Sequence, residues 1–228
     1  MGLAIEVGYL KDMSENDEEG VLWINEEFDK MNGYLSQLGI PNHQEPREAE
    51  VWSFDMYGYS GLHYLRRIAA HVNKTGKLPS PGNQDSSKDT TLEKYFENFT
   101  NPKSSGIFSL FQKKVKREFE HLIIHSDAEG YYLPIDFDQV LIPPEELEIP
   151  GGMIGSSVRL LAECERLAAL LDIPKDLDPE ENIVWEAADS QGEGEKKWER
   201  YGVESYVCLG LIKACRLSLR DKTAVVFC

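Results

Sequence analysis

The chain has 228 residues, 40 Asp and Glu against 24 Lys and Arg, and a formal charge of −16. That length can bury a proper core without disulfide or metal staples, and the charge excludes naked nucleic acid as a natural partner, since binding it relies on neutralising phosphates with Lys and Arg. No apolar run approaches the ~18 residues of a membrane span, and MGLAIEVGYL lacks the basic start and cleavage site of a secretory leader.

The first element predicted is a strand, because Leu3, Ile5 and Val7 alternate. A helix follows, with Ser14 as its cap and Val21, Ile24, Phe28, Met31, Leu35 and Leu38 at helical spacing. Gly39 and Pro41 end it. AEVWSFDMYGY reads as a second strand, and SGLHYLRRIAAHV as a helix capped by Ser60. Residues 74–90 are rich in Pro, Gly, Ser, Asn and Asp and have no periodic face, so a mobile loop is expected there.

GIFSLFQKKVKREFEHLIIH has Phe108, Phe111, Val115, Phe119 and Leu122 in helical register. The HSDAEG stretch comes next and reads as a turn. Ser126 and Asp127 would bond neighbouring backbone, Gly130 would take a left-handed conformation, and His125 would close the helix as a cation. YYLPIDF and QVLIPP are strand-like. PGGMIGSS reads as a turn plus helix cap, since it lacks the lysine and spacing of a phosphate loop. GSSVRLLAECERLAALLDI is an amphipathic helix with Leu160, Leu161, Cys164, Leu167, Ala168 and Leu171 on one stripe. Residues 174–198 are acidic and read as irregular. VESYVCLGLIKACRLSLRD is a last helix and TAVVFC a last strand. The expectation is one α+β domain over residues 1–228, with several amphipathic helices around a small mixed or antiparallel sheet.

Cys164, Cys208, Cys215 and Cys228 form no CxxC pair, and scattered cysteines without a leader point to a cytoplasmic protein. Cys164 and Cys215 sit in apolar stripes, where a free thiol acts as a small hydrophobe. His121 and His125 share a helix face, but Leu122 stands where a zinc-protease motif needs Glu, and no third ligand is evident. There is no GxSxG elbow. Neither a metal, a cofactor nor a catalytic residue is therefore expected.

Gly58-Tyr59-Ser60-Gly61 opening a helix, then His125-Ser126-Asp127-Ala128-Glu129-Gly130, then the apolar strand Ala224 to Phe227, resemble a widespread set of bacterial proteins of unassigned function. The similarity runs over the whole chain. Ala128 stands where such relatives often carry Cys, and the resemblance supplies no catalytic residue.

The composition favours a non-catalytic binding protein, an immunity-type or regulatory inhibitor whose acidic surface covers a basic protein partner, with Glu180 to Glu195 as the acidic segment. The alternative is an enzyme or small-ligand-binding protein in which the YGYSG and HSDAEG stretches meet, and Tyr59, Ser60, His125, Asp127 and Glu129 line a pocket. Oligomeric state is left open.

Overall fold

The computed structural model describes residues 3–81, 86–100, 118–190 and 192–228. Five short strands make one mixed sheet: β1 (Ala4–Val7), β2 (Trp52–Asp55), β3 (Gly130–Leu133), β4 (Ile154–Ser156) and β5 (Val225–Phe227), in the order β2-β1-β5-β3-β4. Only β3 and β4 pair in parallel; the other neighbours are antiparallel. Among the described residues the helices are α1 (Tyr9–Asn16), α2 (Glu18–Gln37), α3 (Gly58–Thr75), α4 (Thr90–Thr100), α5 (Glu120–Ile124), α6 (Ser157–Leu171), α7 (Asn182–Asp189), α8 (Lys197–Arg200) and α9 (Gly202–Asp221). The fold is α+β, as the periodicities imply, and the sheet is mixed.

Strand alternation sorts side chains onto two cores. Leu3, Ile5, Val7, Trp52, Phe54, Tyr132, Val225 and Phe227 face a large cluster built with α3, α6 and α9. Tyr131, Leu133, Ile154 and Val226 point the other way, onto Ile24, Phe28, Met31 and Leu35 of α2. The sheet is thus covered by several helices on one side and chiefly by α2 on the other. α9 is buried almost all round, including Cys208 and Cys215, and α7 packs on it from outside. Cys164, Cys208 and Cys215 are buried free thiols, and Cys228 is an exposed one.

Several local expectations are corrected. The chain does not run as one helix from Ser14. α1 ends at Asn16, and Asp17, in extended conformation, caps α2 by accepting from the amides of Glu19 (3.1 Å) and Gly20 (3.0 Å). Ser14 instead donates to Lys11 O within α1. Ser60 is not a cap either; Tyr57 holds that position in a left-handed conformation, and Ser60 lies in the first turn of α3. Leu38, placed on the apolar stripe, is 48% exposed. Ser156 does cap α6, accepting from Arg159 N, but it also ends β4, a strand that a Gly- and Ser-rich stretch conceals. Residues 182–189, inside the segment expected to be irregular, form α7, which buries Val184, Ala187 and Ala188.

The helix expected over 106–125 falls mostly outside the described residues. Within them, Phe119 is left-handed and α5 begins at Glu120. Of the 74–90 stretch, residues 82–85 lie outside the description. Leu78 packs on the large core, Tyr201 donates its hydroxyl to Pro79 O, and Asp89 accepts from Arg67 (3.1 Å) and faces His71 (2.9 Å).

α9 approaches β2 closely because Gly210 has no side chain there. A Cβ would sit 2.3 Å from Phe54 Cε1. Gly210→Ala should therefore cost about 1–3 kcal/mol through overpacking, despite the better helix propensity of Ala. A lower urea midpoint checks this; an unchanged midpoint would mean that α9 and β2 can separate freely.

Candidate functional site

The HSDAEG stretch is tied to α3 through an inward-facing arginine. Arg66 is fully buried and donates to the carbonyls of Leu122 (2.8 Å), His125 (2.6 Å) and Ser126 (3.1 Å). It thereby satisfies carbonyls that the end of α5 leaves open. His125 is enclosed between Tyr132, stacked at 3.9 Å, and Phe227, with its Nε2 3.0 Å from Tyr131 O. Burial pulls its pKa down to about 3, so it closes α5 as a neutral ring rather than as the expected cation.

Ser126 behaves as a turn residue, accepting weakly from the amides of Ala128 (3.3 Å) and Glu129 (3.4 Å). Asp127 does not bond the turn. It reaches across to His63 Nε2 at 2.8 Å and lies 4.0 Å from Arg66. Gly130 has a positive φ of 126°, which is not the left-handed helical value. Glu129 and Ser60 are exposed, and Tyr59 contributes only its place in α3, since its side chain lies outside the description. The two stretches are thus joined one turn deeper than expected, by His63 and Arg66.

His121 accepts from Ser156 N through Nδ1 (3.0 Å), and burial lowers its pKa to about 4. Glu163 takes the amides of His121 and Leu122, and burial pushes it up to about 8. Among the described residues no group of three or more His, Cys, Asp and Glu is placed to hold a metal. A groove of about 640 Å³ lies elsewhere, between α6, α9 and residues 173–179, and includes none of the five predicted residues.

The surface of α2 is different in kind. Residues 1–56 hold 13 acids and 3 bases, a net −10 of the total −16. On α2 itself Glu19, Glu26 and Asp29 are exposed. Leu22 (67%) and Trp23 (46%) stand exposed among them. Tyr34 donates to Ile142 O (3.1 Å), which brings a second segment alongside, with Glu145, Glu146 and Glu148 exposed. None of these six carboxylates has a Lys or Arg within ion-pair distance among the described residues. Lys30 bonds the buried Glu27 at 3.0 Å and is held above its ordinary pKa by Glu27, with Glu148 and Glu26 adding to the effect.

Towards the β1–β2 edge the acidity continues. Glu6 is raised by partial burial and then by Asp12; Cys228 is pushed up to about 11 by burial and then by Glu6 and Asp55. On the opposite side the charges are paired: Arg216 with Glu165, Lys213 with Asp178 and Glu180, Arg220 with Glu50 and Asp221. Of the acidic segment Glu180 to Glu195, only Glu180 has a Lys or Arg within ion-pair distance among the described residues. Charge counting over longer segments adds the N-terminal quarter to it.

Comparison with known proteins agrees in kind. The chain belongs to a family described as "Putative DNA-mimic protein", whose model matches residues 1–227. No curated protein and no solved structure matches it. Among the described residues, no helix is long and apolar enough to cross a membrane.

Two outcomes follow from this geometry. Asp127→Ala should cost less than about 1 kcal/mol, because it loses one partly exposed hydrogen bond to His63 and only a 4.0 Å approach to Arg66, which its three carbonyl acceptors still hold; a loss of 2 kcal/mol or more in chemical denaturation would restore Asp127 as a turn anchor. His125 has a folded pKa near 3 against an ordinary 6.5. The unfolded chain therefore takes the proton first, and the stability contributed above pH 6.5 is lost as pH falls towards 3, by roughly 4–5 kcal/mol. The His125 ring resonances in NMR should stay those of a neutral imidazole down to about pH 4, and titration of that ring near 6.5 in the folded protein would contradict its enclosure.

Proposed function

Starting from membership of the DNA-mimic family, we propose that the protein is a non-catalytic inhibitor or regulator that occupies the DNA-binding surface of a basic partner protein. The observation that carries this reading is the exposed face of α2 with residues 145–148, where six carboxylates lack ion-pair partners among the described residues. Duplex DNA offers one phosphate per ~3.4 Å along each strand. Glu19 and Glu26 lie two helical turns apart, roughly 10 Å along the axis, and Asp29 roughly 5 Å further. A helix so decorated presents negative charge at intervals of a few base-pair steps, fixed on a rigid support.

The setting is cytoplasmic, as the free thiols suggest, and an immunity-type role fits such a surface. Direct contact with nucleic acid is disfavoured by the net charge. A small-ligand pocket lined by Tyr59, Ser60, His125, Asp127 and Glu129 draws less support, because His125 is fully enclosed and its Nε2 is engaged by the Tyr131 carbonyl.

The test uses proteins from source cells retained on DNA-cellulose. Wild-type protein should elute one or a few basic proteins at low salt. The combined variant Glu19→Gln, Glu26→Gln, Asp29→Asn, Glu148→Gln should bind the eluted protein at least about tenfold more weakly, with a shallower salt dependence. Equal affinity of the variant would remove the α2 face from the reading, and failure of the wild type to compete with DNA would defeat mimicry itself.

A further inference from the structure

A second surface is built differently from the α2 face. Tyr57, Trp185 and Tyr206 come from three distant parts of the chain and meet as a ring cluster. Their centroids are 5.5 Å apart for Tyr57–Trp185, 6.2 Å for Tyr57–Tyr206 and 5.5 Å for Trp185–Tyr206, and none of the three contacts is a parallel stack. Tyr206 is buried beneath, while Trp185 remains 49% exposed. Tyr57 reaches its position through a left-handed backbone (φ 55°, ψ 47°), and its hydroxyl is 3.4 Å from Asp189 Oδ1.

One carboxylate lies beside these rings. Asp189 is exposed, and it has no Lys or Arg within ion-pair distance among the described residues. Burial pushes the Tyr206 phenol up to about 12, with Asp55 and Glu180 adding to the effect. The neighbouring Lys213 is already engaged by Asp178 and Glu180 and lies 5.2 Å from the Trp52 ring. The local complement is therefore a cation supplied from outside. An exposed indole attracts a cation to its face. A guanidinium is favoured over an ammonium because it is planar, stacks on rings and reaches carboxylates with a fixed fork of donors.

We infer that the Trp185–Tyr57 surface, with Asp189, is a docking site for an arginine side chain of the basic partner. This rests on the reading that the partner is basic, and adds that it presents arginine at this place.

Two synthetic peptides of equal charge separate the ideas, one of six Arg-Gly repeats and one of six Lys-Gly repeats, titrated into the whole protein by calorimetry. Both should bind with strong salt dependence, and the arginine peptide about fivefold to tenfold more tightly. Trp185→Ala should abolish that preference while leaving the lysine peptide within about twofold. Trp185→Phe should keep most of it, which guards against a misfolded alanine variant. The four-site α2 variant should weaken both peptides and preserve their ratio. Equal affinities in the wild type, or a preference that survives Trp185→Ala, would overturn the arginine site alone. Binding of neither peptide would remove the basic partner as well.

Discussion

The fold depends on β5, the last strand, lying at the centre of the sheet between β1 and β3. Val225 and Phe227 enter the large core and Val226 the smaller one, so three consecutive residues fix both faces at once. Ala4 and Cys228 exchange backbone hydrogen bonds at 2.8 and 3.1 Å, closing the two ends of the chain on each other. β5 directly follows α9, so the packing of α9 on the sheet helps to position the central strand. The near-complete burial of α9 follows from the same constraint: it must pack against the sheet beneath, and α3, α6 and α7 cover its remaining sides. On the other face α2 supplies most of the cover, with Leu10 of α1, Phe137 and Ile149 beside it. The inner stripe of α2 is used in packing and its outer side is left to solvent.

The distribution of charge divides along the same sheet. On the α6 and α9 side, cations are matched by nearby acids, and such surface pairs contribute little individually but cancel the local field. On the α2 side the acids outnumber cations heavily, and their mutual repulsion disfavours the compact state. Nothing in the packing requires that excess. Apolar side chains exposed at its centre, Leu22 and Trp23, are likewise unnecessary for the core. In general, surface charge raises the rate of encounter with an oppositely charged partner, whereas aromatic anchors buried in an interface slow its release.

Much of the architecture was legible in the sequence because its signals are local. Alternation in Leu3, Ile5 and Val7 and the stripe from Leu160 to Leu171 follow directly from strand and helix geometry. The cap of α2 was misplaced because Ser14 and Asp17 are both good capping residues, and only the break after Asn16 selects Asp17. β4 was hidden by its glycine and serines, whose strand conformation is imposed by pairing with β3. Asp127 looked like a turn carboxylate, but its partner His63 lies 64 positions away, and no local pattern reports that contact. The acidic bias of the first 56 residues was available to simple counting. The meeting of Tyr57, Trp185 and Tyr206 was not, since it exists only once α3, α7 and α9 are packed.

Asp55 lies on the exposed side of the edge strand β2, alternating with the buried Trp52, Phe54 and Met56. Trp52 and Phe54 face the core that holds Tyr206, so Asp55 belongs with Glu6 on the face that α2 covers. The carboxylates of that face and the half-exposed Trp185 therefore stand on opposite sides of the sheet. A duplex likewise presents phosphates along its backbones and aromatic bases between them. On the proposed reading, a partner whose arginines both neutralise phosphates and stack on bases would find both kinds of contact on this protein, at separate places. Charge alone would reproduce the first and not the second, and on the proposed reading Trp185 supplies what charge cannot.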